Sequence, residues 1–363
     1  MRRMRLLRGQ TAGSGKGSLT LARIALDAMG GDRAPAATVA GALLALEDFG
    51  SKHVIQLIGR EQVIRAELAR QLAGEFAGKA VDVSRLQFVD APDVIEMSDK
   101  PTVAIRGKPK SSMVVGLRMQ ADGASDAFVS AGNTGAQMAA SIFIFRLHDG
   151  LTRPAIPTLF PTARIPIVVL DSGANVDCSA DELVQFARLG CVYAEDVLGR
   201  ANPSVGLLSI GEEPEKGNAV TKEAHALLAA AGLNFQGNVE GRDLPMGASE
   251  RGPVDVVVCD GFVGNVMLKF YEAVAPMIVK LIADAGAGPD VLAGAMKKLD
   301  YASTGGAPLL GVRGVSIIAH GKSSANAIRN ALHVAARTFD TGMSAHIGQR
   351  LAQRAAEQQG ALS

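Results

Sequence analysis

From about residue 22 onward, short unbroken apolar runs alternate with longer stretches in which apolar residues recur every three or four positions. The runs span residues 24–28, 54–58, 86–89, 127–130, 167–170, 205–210, 235–239, 254–259 and 315–319. Runs of this length, rich in Val, Ile and Leu and without polar alternation, predict strands buried on both faces. Residues 36–49, 61–72 and 220–231, which lie between such runs, carry the helical period. Strands alternating with helices predict an α/β fold, a mainly parallel sheet in an αβα sandwich.

Several boundaries are signed by single residues. Ser179, followed three positions later by Glu182, is a capping box opening a helix over 182–198 that stops at Gly199. Pro276 predicts a kink or break within the apolar stretch 265–283, and Gly288 with Pro289 separates that stretch from a second helix over 290–298. No internal repeat and no long linker divides the chain. It reads as one αβα domain over residues 23–345 with a helical excursion near 265–305, preceded by a flexible basic extension (1–22) and followed by a tail (346–363).

Composition narrows the function classes. A hydrophobic fraction of 48% excludes a disordered chain, so the 41 glycines signal tight turns and close backbone approaches. A net charge of +1, 4% aromatics and no Trp leave no footprint for nucleic acid. Cys178, Cys191 and Cys259 have neither CxxC nor metal-ligand spacing and read as small buried hydrophobes in a reducing, cytoplasmic protein. No apolar run approaches the ~20 residues of a membrane span. The segment from Gly13 to Ser18 imitates a P-loop but fails it, because Gln10 stands where the first glycine belongs and Gly17 follows Lys16.

The chemistry concentrates in polar, glycine-rich segments that follow strand-like runs. They are Asp27-Ala28-Met29-Gly30-Gly31-Asp32, Ser130-Ala131-Gly132-Asn133-Thr134-Gly135, Asp171-Ser172-Gly173-Ala174-Asn175, and residues 211–218 with Glu213 and Lys216. Residues 240–243, then Asp260-Gly261-Phe262-Val263-Gly264-Asn265, then His320-Gly321-Lys322-Ser323-Ser324 complete the set. Carboxyl ends of parallel strands share one edge, so these seven loops predict a single site there. Glycine lets backbone N–H groups approach an anion, and helix N-termini add a positive end, so phosphate suits the site. For each loop taken singly, turn formation explains the same residues. GxGxxG, GxSxG and clustered His are absent. A phosphate acceptor, itself a nucleophile, would need only positioning and oxyanion stabilisation.

At these same loops the sequence resembles the phosphate acyltransferases of bacterial phospholipid synthesis, fatty acyl-[acyl carrier protein]:phosphate acyltransferases. Residues 24–32, 130–135, 170–175, 183–187, 210–218, 237–243 and 259–265 carry the match, which covers nearly everything from Arg23 to about Thr338. The resemblance implies a single αβα domain similar to phosphotransacetylases and the isopropylmalate-dehydrogenase group, usually a homodimer. It implies transfer of a long acyl chain from acyl carrier protein to inorganic phosphate, with no metal or organic cofactor, in a soluble protein that touches the inner face of the membrane. The segment 320–326 departs from the expected pattern, which places a polar Asn or Asp closer behind the His-Gly pair.

Among single residues, Lys216 is the candidate cation, set against a solvated lysine, with Glu213 beside it to hold it. His320 is a candidate proton donor or oxyanion partner, set against a strand-end structural histidine. Asp260 with Asn265, and Asp171 with Asn175, are candidate site pairs; Gly261 and Gly264 lie in the same loop as Asp260. Asp27 and Asp32 flank Gly30 and Gly31 to orient substrate, unless Asp32 merely caps the next helix. Asn133, Thr134 and Gly135 open a helix toward phosphate, with plain N-capping as the alternative. Arg106, Lys108, Ser111 and Ser112 could form a second anion patch or a solvated loop. The stretch 266–283 mixes Met267, Phe270 and Leu281 with Lys269 and Lys280, followed by Lys297 and Lys298. It suits membrane contact, acyl-chain binding, or ordinary core and dimer packing. A phosphotransacetylase-like enzyme using acyl-CoA, a metal- and nicotinamide-dependent dehydrogenase on a related fold, and a non-enzymatic membrane scaffold are the competing readings.

Overall fold

The computed structural model describes residues 21–299 and 305–361. The P-loop imitation and most of the basic extension lie outside them. The chain begins with β1 (Arg23–Asp27), α1 (Ala36–Phe49), β2 (Val54–Gly59), α2 (Glu61–Ala73) and β3 (Leu86–Asp90). Next come α3 (Pro101–Gly107), α4 (Ser112–Ala121), β4 (Ala127–Ser130) and α5 (Thr134–Phe145). The middle of the chain holds β5 (Thr158–Phe160), β6 (Ile167–Leu170), α6 (Ala180–Asp196), β7 (Val205–Leu208), α7 (Ala219–Ala229) and β8 (Phe235–Val239). A small hairpin of β9 (Ala248–Ser249) and β10 (Gly252–Pro253) leads to β11 (Val256–Val258), α8 (Gly261–Asp284) and α9 (Pro289–Leu299). The described chain closes with β12 (Ala307–Pro308), β13 (Ser316–Ile318), α10 (Ala325–Asp340) and α11 (Met343–Ala361).

The major strands make two sheets, not the one shared edge that the sequence suggests. The first runs β12-β13-β4-β1-β2-β3 and the second β5-β6-β11-β7-β8. Each is parallel except for one antiparallel edge strand, β12 and β5 respectively. Central strands are buried on both faces: Ile24, Ala25 and Leu26 of β1, and Val168, Val169 and Leu170 of β6, are fully covered. A fully buried Ile, Leu or Val contributes about 1.5–3 kcal/mol. The first sheet is covered on one face by α1 and α10 and on the other by α4 and α5. The second is covered by α6, α7 and α11 on one face and by α8 on the other.

The segment before β13 stitches the two halves together. Leu309 and Val312 pack in the core of the first sheet, while Leu310 packs in that of the second and pairs with Ala155 in both directions at 2.9 and 3.0 Å.

The Ser179–Glu182 capping box forms as expected, and Gly199 lies just beyond the end of α6 with φ +70°. Pro276 does not break α8, which runs through it for 24 residues. Pro276 is exposed, on the solvent side of the helix. The boundary at residue 345 falls inside α11, whose Ile347 is buried against α6. No described helix is long and apolar enough to cross a membrane.

Candidate active site

In an open parallel sheet, ligands bind where consecutive connections leave on opposite faces. The first sheet has such a place between β1 and β4, whose following helices α1 and α5 lie on opposite faces. The second has one between β6 and β11, followed by α6 and α8 on opposite faces. The seven loops therefore divide, three to the first sheet and four to the second.

At the β1–β4 crevice, Asp27 is buried and accepts from the Ser130 hydroxyl at 2.7 Å and from the Met29 N–H at 3.2 Å. Burial pushes its carboxyl above the usual range, against hydrogen bonds from Ser112, Ser130 and the backbone of Met29 and Gly30. Gly30 is required by closeness: a Cβ there would stand 2.5 Å from Asp27 Oδ2 and 2.9 Å from the Gly132 nitrogen. The next loop joins in, because the Asp32 N–H donates to the Gly321 carbonyl at 2.8 Å and Gly31 sits against it. Asp32 does not cap α1, whose N-cap is Pro35; its exposed side chain stays beside Gly321.

Asn133 is the N-cap of α5, with Oδ1 accepting from the Ala136 N–H at 3.0 Å. Its Nδ2 donates to the carbonyls of Glu96, Met97 and Asp99 at 3.0–3.2 Å. The preferred reading of Asn133 as a direct phosphate contact thus meets an amide already engaged at both ends, which positions the 96–99 loop. Thr134 is exposed, and Gly135 packs against Pro101, where a Cβ would meet its ring at 2.9 Å. The second anion patch is not assembled. Lys108 Nζ donates to Asp99 at 2.5 Å and to the Val94 carbonyl, while Ser111 and Ser112 are buried.

At the β6–β11 crevice Asp171 is fully buried. Its Oδ1 accepts from the N–H groups of Ile156 (3.0 Å) and Ala174 (3.3 Å), and its Oδ2 from the N–H (2.7 Å) and Nδ2 (3.0 Å) of Asn175. Burial raises this carboxyl too, opposed by those same bonds. Asn175 spends its amide on Asp171 and the Pro154 carbonyl, and its own carbonyl accepts from the Gly261 N–H at 2.7 Å. A Cβ at Gly261 would meet the Asn175 oxygen at 2.5 Å, and one at Gly264 would collide with the Asp171 carbonyl, so α8 starts pressed onto the β6 loop.

Asp260 caps α8 through Val263 N–H at 2.8 Å. One turn along, Asn265 is exposed beside Gly173, its side chain without a hydrogen-bond partner among the described residues. The β7 loop lies on the next strand over. Its Lys216 and Glu213 are exposed and both reach over Gly211, but the bond between them is backbone only, Lys216 N–H to Glu213 carbonyl at 3.0 Å. That carbonyl also accepts from Asn238 Nδ2 at 2.7 Å.

The two sheets meet at His320, at the end of the last strand of the first sheet. His320 Nε2 lies 3.4 Å from the Nζ of Lys269, on α8 of the second, and Lys269 also pairs with Glu272 at 2.8 Å. In the sequence Lys269 reads as part of a stretch for membrane contact, acyl-chain binding or packing. The available signal is its place four residues after Asn265, one turn further on the same helix face.

The serine that ends β4 and the cysteine that follows β11 are withdrawn from solvent. Ser130 and Cys259 are buried, and burial raises the Cys259 thiol well above its ordinary value and that of Cys178 to about 11. Among the described residues, no three His, Cys, Asp or Glu side chains gather as a metal site.

Residues 22–346 match the family model described as fatty acid synthesis protein. The phosphate acyltransferase of Desulforamulus reducens is 47% identical over 339 residues, covering 91% of this chain and 97% of the relative. That of Salinibacter ruber is 45% identical, covering 90% and 97%. Among solved structures, a phosphotransacetylase from Streptococcus pyogenes superposes with a TM-score of 0.60 at 16% identity over 88% of this chain and 94% of that one. The EutD phosphotransacetylase from Staphylococcus aureus gives 0.58 at 15% identity over 88% and 96%. At such identities the structural likeness speaks to the fold.

Proposed function

The chain belongs to the fatty acid synthesis protein family, its matched relatives are phosphate acyltransferases and it is an enzyme of that type; on that premise we propose that it moves a long fatty acyl group from acyl carrier protein to inorganic phosphate. A phosphate oxygen attacks the thioester carbonyl, the C–S bond breaks, and the carrier thiolate leaves and takes up a proton from solvent. The products are acyl phosphate and free carrier protein.

The observation that carries this reading is the division of labour at the strand ends. The Ser130 hydroxyl and the Cys259 thiol are buried, whereas the side chains of Lys216, Asn265, Thr134 and His320 stand open as hydrogen-bond donors. An edge furnished this way suits an anionic acceptor that brings its own nucleophilic oxygen. Asp27, Asn133, Asp171 and Asn175 hold the loops, Gly30, Gly31, Gly261 and Gly264 admit close backbone approach, and Lys216 attracts phosphate.

The donor and partners follow the same reading. Phe262, Val266, Phe270 and Leu281 leave an apolar face of α8 exposed, which supports a second copy of the chain there. Sedimentation of the protein and of Phe270→Glu tests this: a homodimer that the substitution dissociates is expected. The protein works in the cytoplasm, and the exposed Met277 and Ile278 with Lys280, further along α8, support a peripheral membrane contact, tested by vesicle flotation. The side chains of Lys297 and Lys298 lie outside the described residues.

The deciding assay incubates the protein with palmitoyl-acyl carrier protein and inorganic phosphate, traps acyl phosphate with hydroxylamine and counts released thiol. Phosphate-dependent formation of both products is expected, and Lys216→Ala lowers turnover about 10²-fold. Release from acyl-CoA alone would replace the donor, and silence with both would overturn the reading.

A further inference from the structure

Lys269 and His320 come from different sheets and meet nitrogen to nitrogen at 3.4 Å. The Lys322 N–H donates to His320 Nδ1 at 3.3 Å, so Nδ1 carries the lone pair and Nε2 carries the proton. That tautomer is assigned by the hydrogen-bond network. An ammonium has no lone pair to offer, so the two nitrogens face each other as donor to donor and cannot bond directly. Glu272 takes one of the three ammonium hydrogens. The remaining hydrogens of Lys269 and the Nε2–H of His320 have no acceptor among the described residues.

We propose that Lys269 is a further catalytic residue, which with His320 forms a two-donor seat for an oxyanion of the reacting groups. The oxyanion is either the phosphate acceptor or the oxygen that becomes negative as the thioester carbonyl is attacked. The inference rests on the acyl-transfer reading above and deepens it.

Both donors are held before any ligand arrives. His320 sits at the end of β13, with its carbonyl accepting from the Ser323 N–H at 2.9 Å. Lys269 rides on α8, whose first turn is pressed onto the Asp171 loop at Gly264. Preorganised donors of this kind cost no rearrangement when charge develops between them. Asn265, one turn nearer the start of α8, supplies an amide toward the same crevice. The plain alternative is a solvated lysine paired with Glu272 three residues on, which predicts no kinetic consequence.

The experiment compares Lys269→Met, Lys269→Arg, His320→Ala, His320→Gln and the double variant Lys269→Met/His320→Ala. The readouts are kcat and KM for phosphate in the hydroxylamine assay, thermal unfolding, and equilibrium binding of radiolabelled inorganic phosphate. Lys269→Met is expected to lower kcat/KM about 10²-fold without shifting unfolding. Lys269→Arg keeps more activity than Met, and His320→Gln, which retains a side-chain N–H donor, keeps more than Ala. Because both donors serve one oxygen, the double variant falls little below the weaker single variant. A raised KM with weakened phosphate binding assigns the seat to the acceptor; a lowered kcat with binding intact assigns it to the thioester oxygen. An active wild type with Lys269→Met within twofold of it overturns the seat alone. A wild type that releases no thiol overturns the acyl-transfer reading, and the seat then falls if Lys269→Met binds labelled phosphate as the wild type does.

Discussion

Between β1 and β4 a buried carboxyl is held in part by a hydroxyl that can turn; between β6 and β11 its counterpart is held by N–H groups alone. Asp27 receives the Ser130 hydroxyl and the Met29 N–H, whereas Asp171 receives three backbone N–H groups and a side-chain amide. Beyond these carboxyls the crevices diverge again. The first locks its helix start with Asn133, whose side-chain amide is engaged at both ends. The second leaves Asn265 and Lys269 open on α8 and reaches across to His320. Buried polar groups at strand ends thus fix the loops, and on α8 the exposed polar side chains stand one and two helical turns further out.

Replacing each carboxyl by its amide probes that contrast most strongly. Asp171→Asn sets an NH₂ group against fixed N–H donors whichever way it turns, which costs about 3 kcal/mol. Asp27→Asn can donate to a Ser130 hydroxyl that rotates, so about 1 kcal/mol is expected. Urea unfolding of the two variants checks this, and equal losses would erase the distinction. Asn133→Ala comes next: it removes a helix cap worth about 1 kcal/mol and frees three carbonyls of the 96–99 loop, for a total of about 2 kcal/mol. A variant that lost turnover at unchanged stability would return Asn133 to direct ligand contact.

The smallest effect concerns the outer faces, where the halves are again alike. Asp48 on α1 pairs with Arg329 and His333 on α10, and Glu195 and Asp196 on α6 pair with Arg350 and His346 on α11. The Arg329 guanidinium, then His333, holds the Asp48 carboxyl below its usual range. A depressed carboxylate stabilises the fold above its unfolded pKa of about 3.9, and that contribution is lost as pH falls through the folded value. Asp48→Asn should therefore cost at most about 1 kcal/mol near neutrality. The gap to wild type should close below about pH 4, as unfolding at the two pH values would read. A gap that persisted in acid would mean packing rather than charge.

Strand positions were legible because burial on both faces writes continuous Val, Ile and Leu into β1, β6 and β11. The Ser179–Glu182 box was legible because capping is a local hydrogen-bond pattern. The division into two sheets was not, since β13 lies beside β4 and β11 enters between β6 and β7, and no local period records a distant neighbour. The same limit hid the engagement of Asn133 with the 96–99 loop and the meeting of Lys269 with His320. Pro276 was read as a kink or a break, and the continuity of α8 through it excludes only the break.

The pairing of β13 with β4 also sets a timetable. During synthesis, β4 leaves the ribosome long before Ser316, and at ~5–20 residues per second the interval is on the order of ten to forty seconds. Through that interval the outer edge of β4 has no neighbour, and Gln137 and Ser141 wait for the Ser316 hydroxyl that both finally bond. The second sheet draws on residues 158–258 alone and can close first. The newborn chain thus carries a paired second sheet, still without α11, beside an open strand edge, the kind of surface on which unwanted pairing between chains begins.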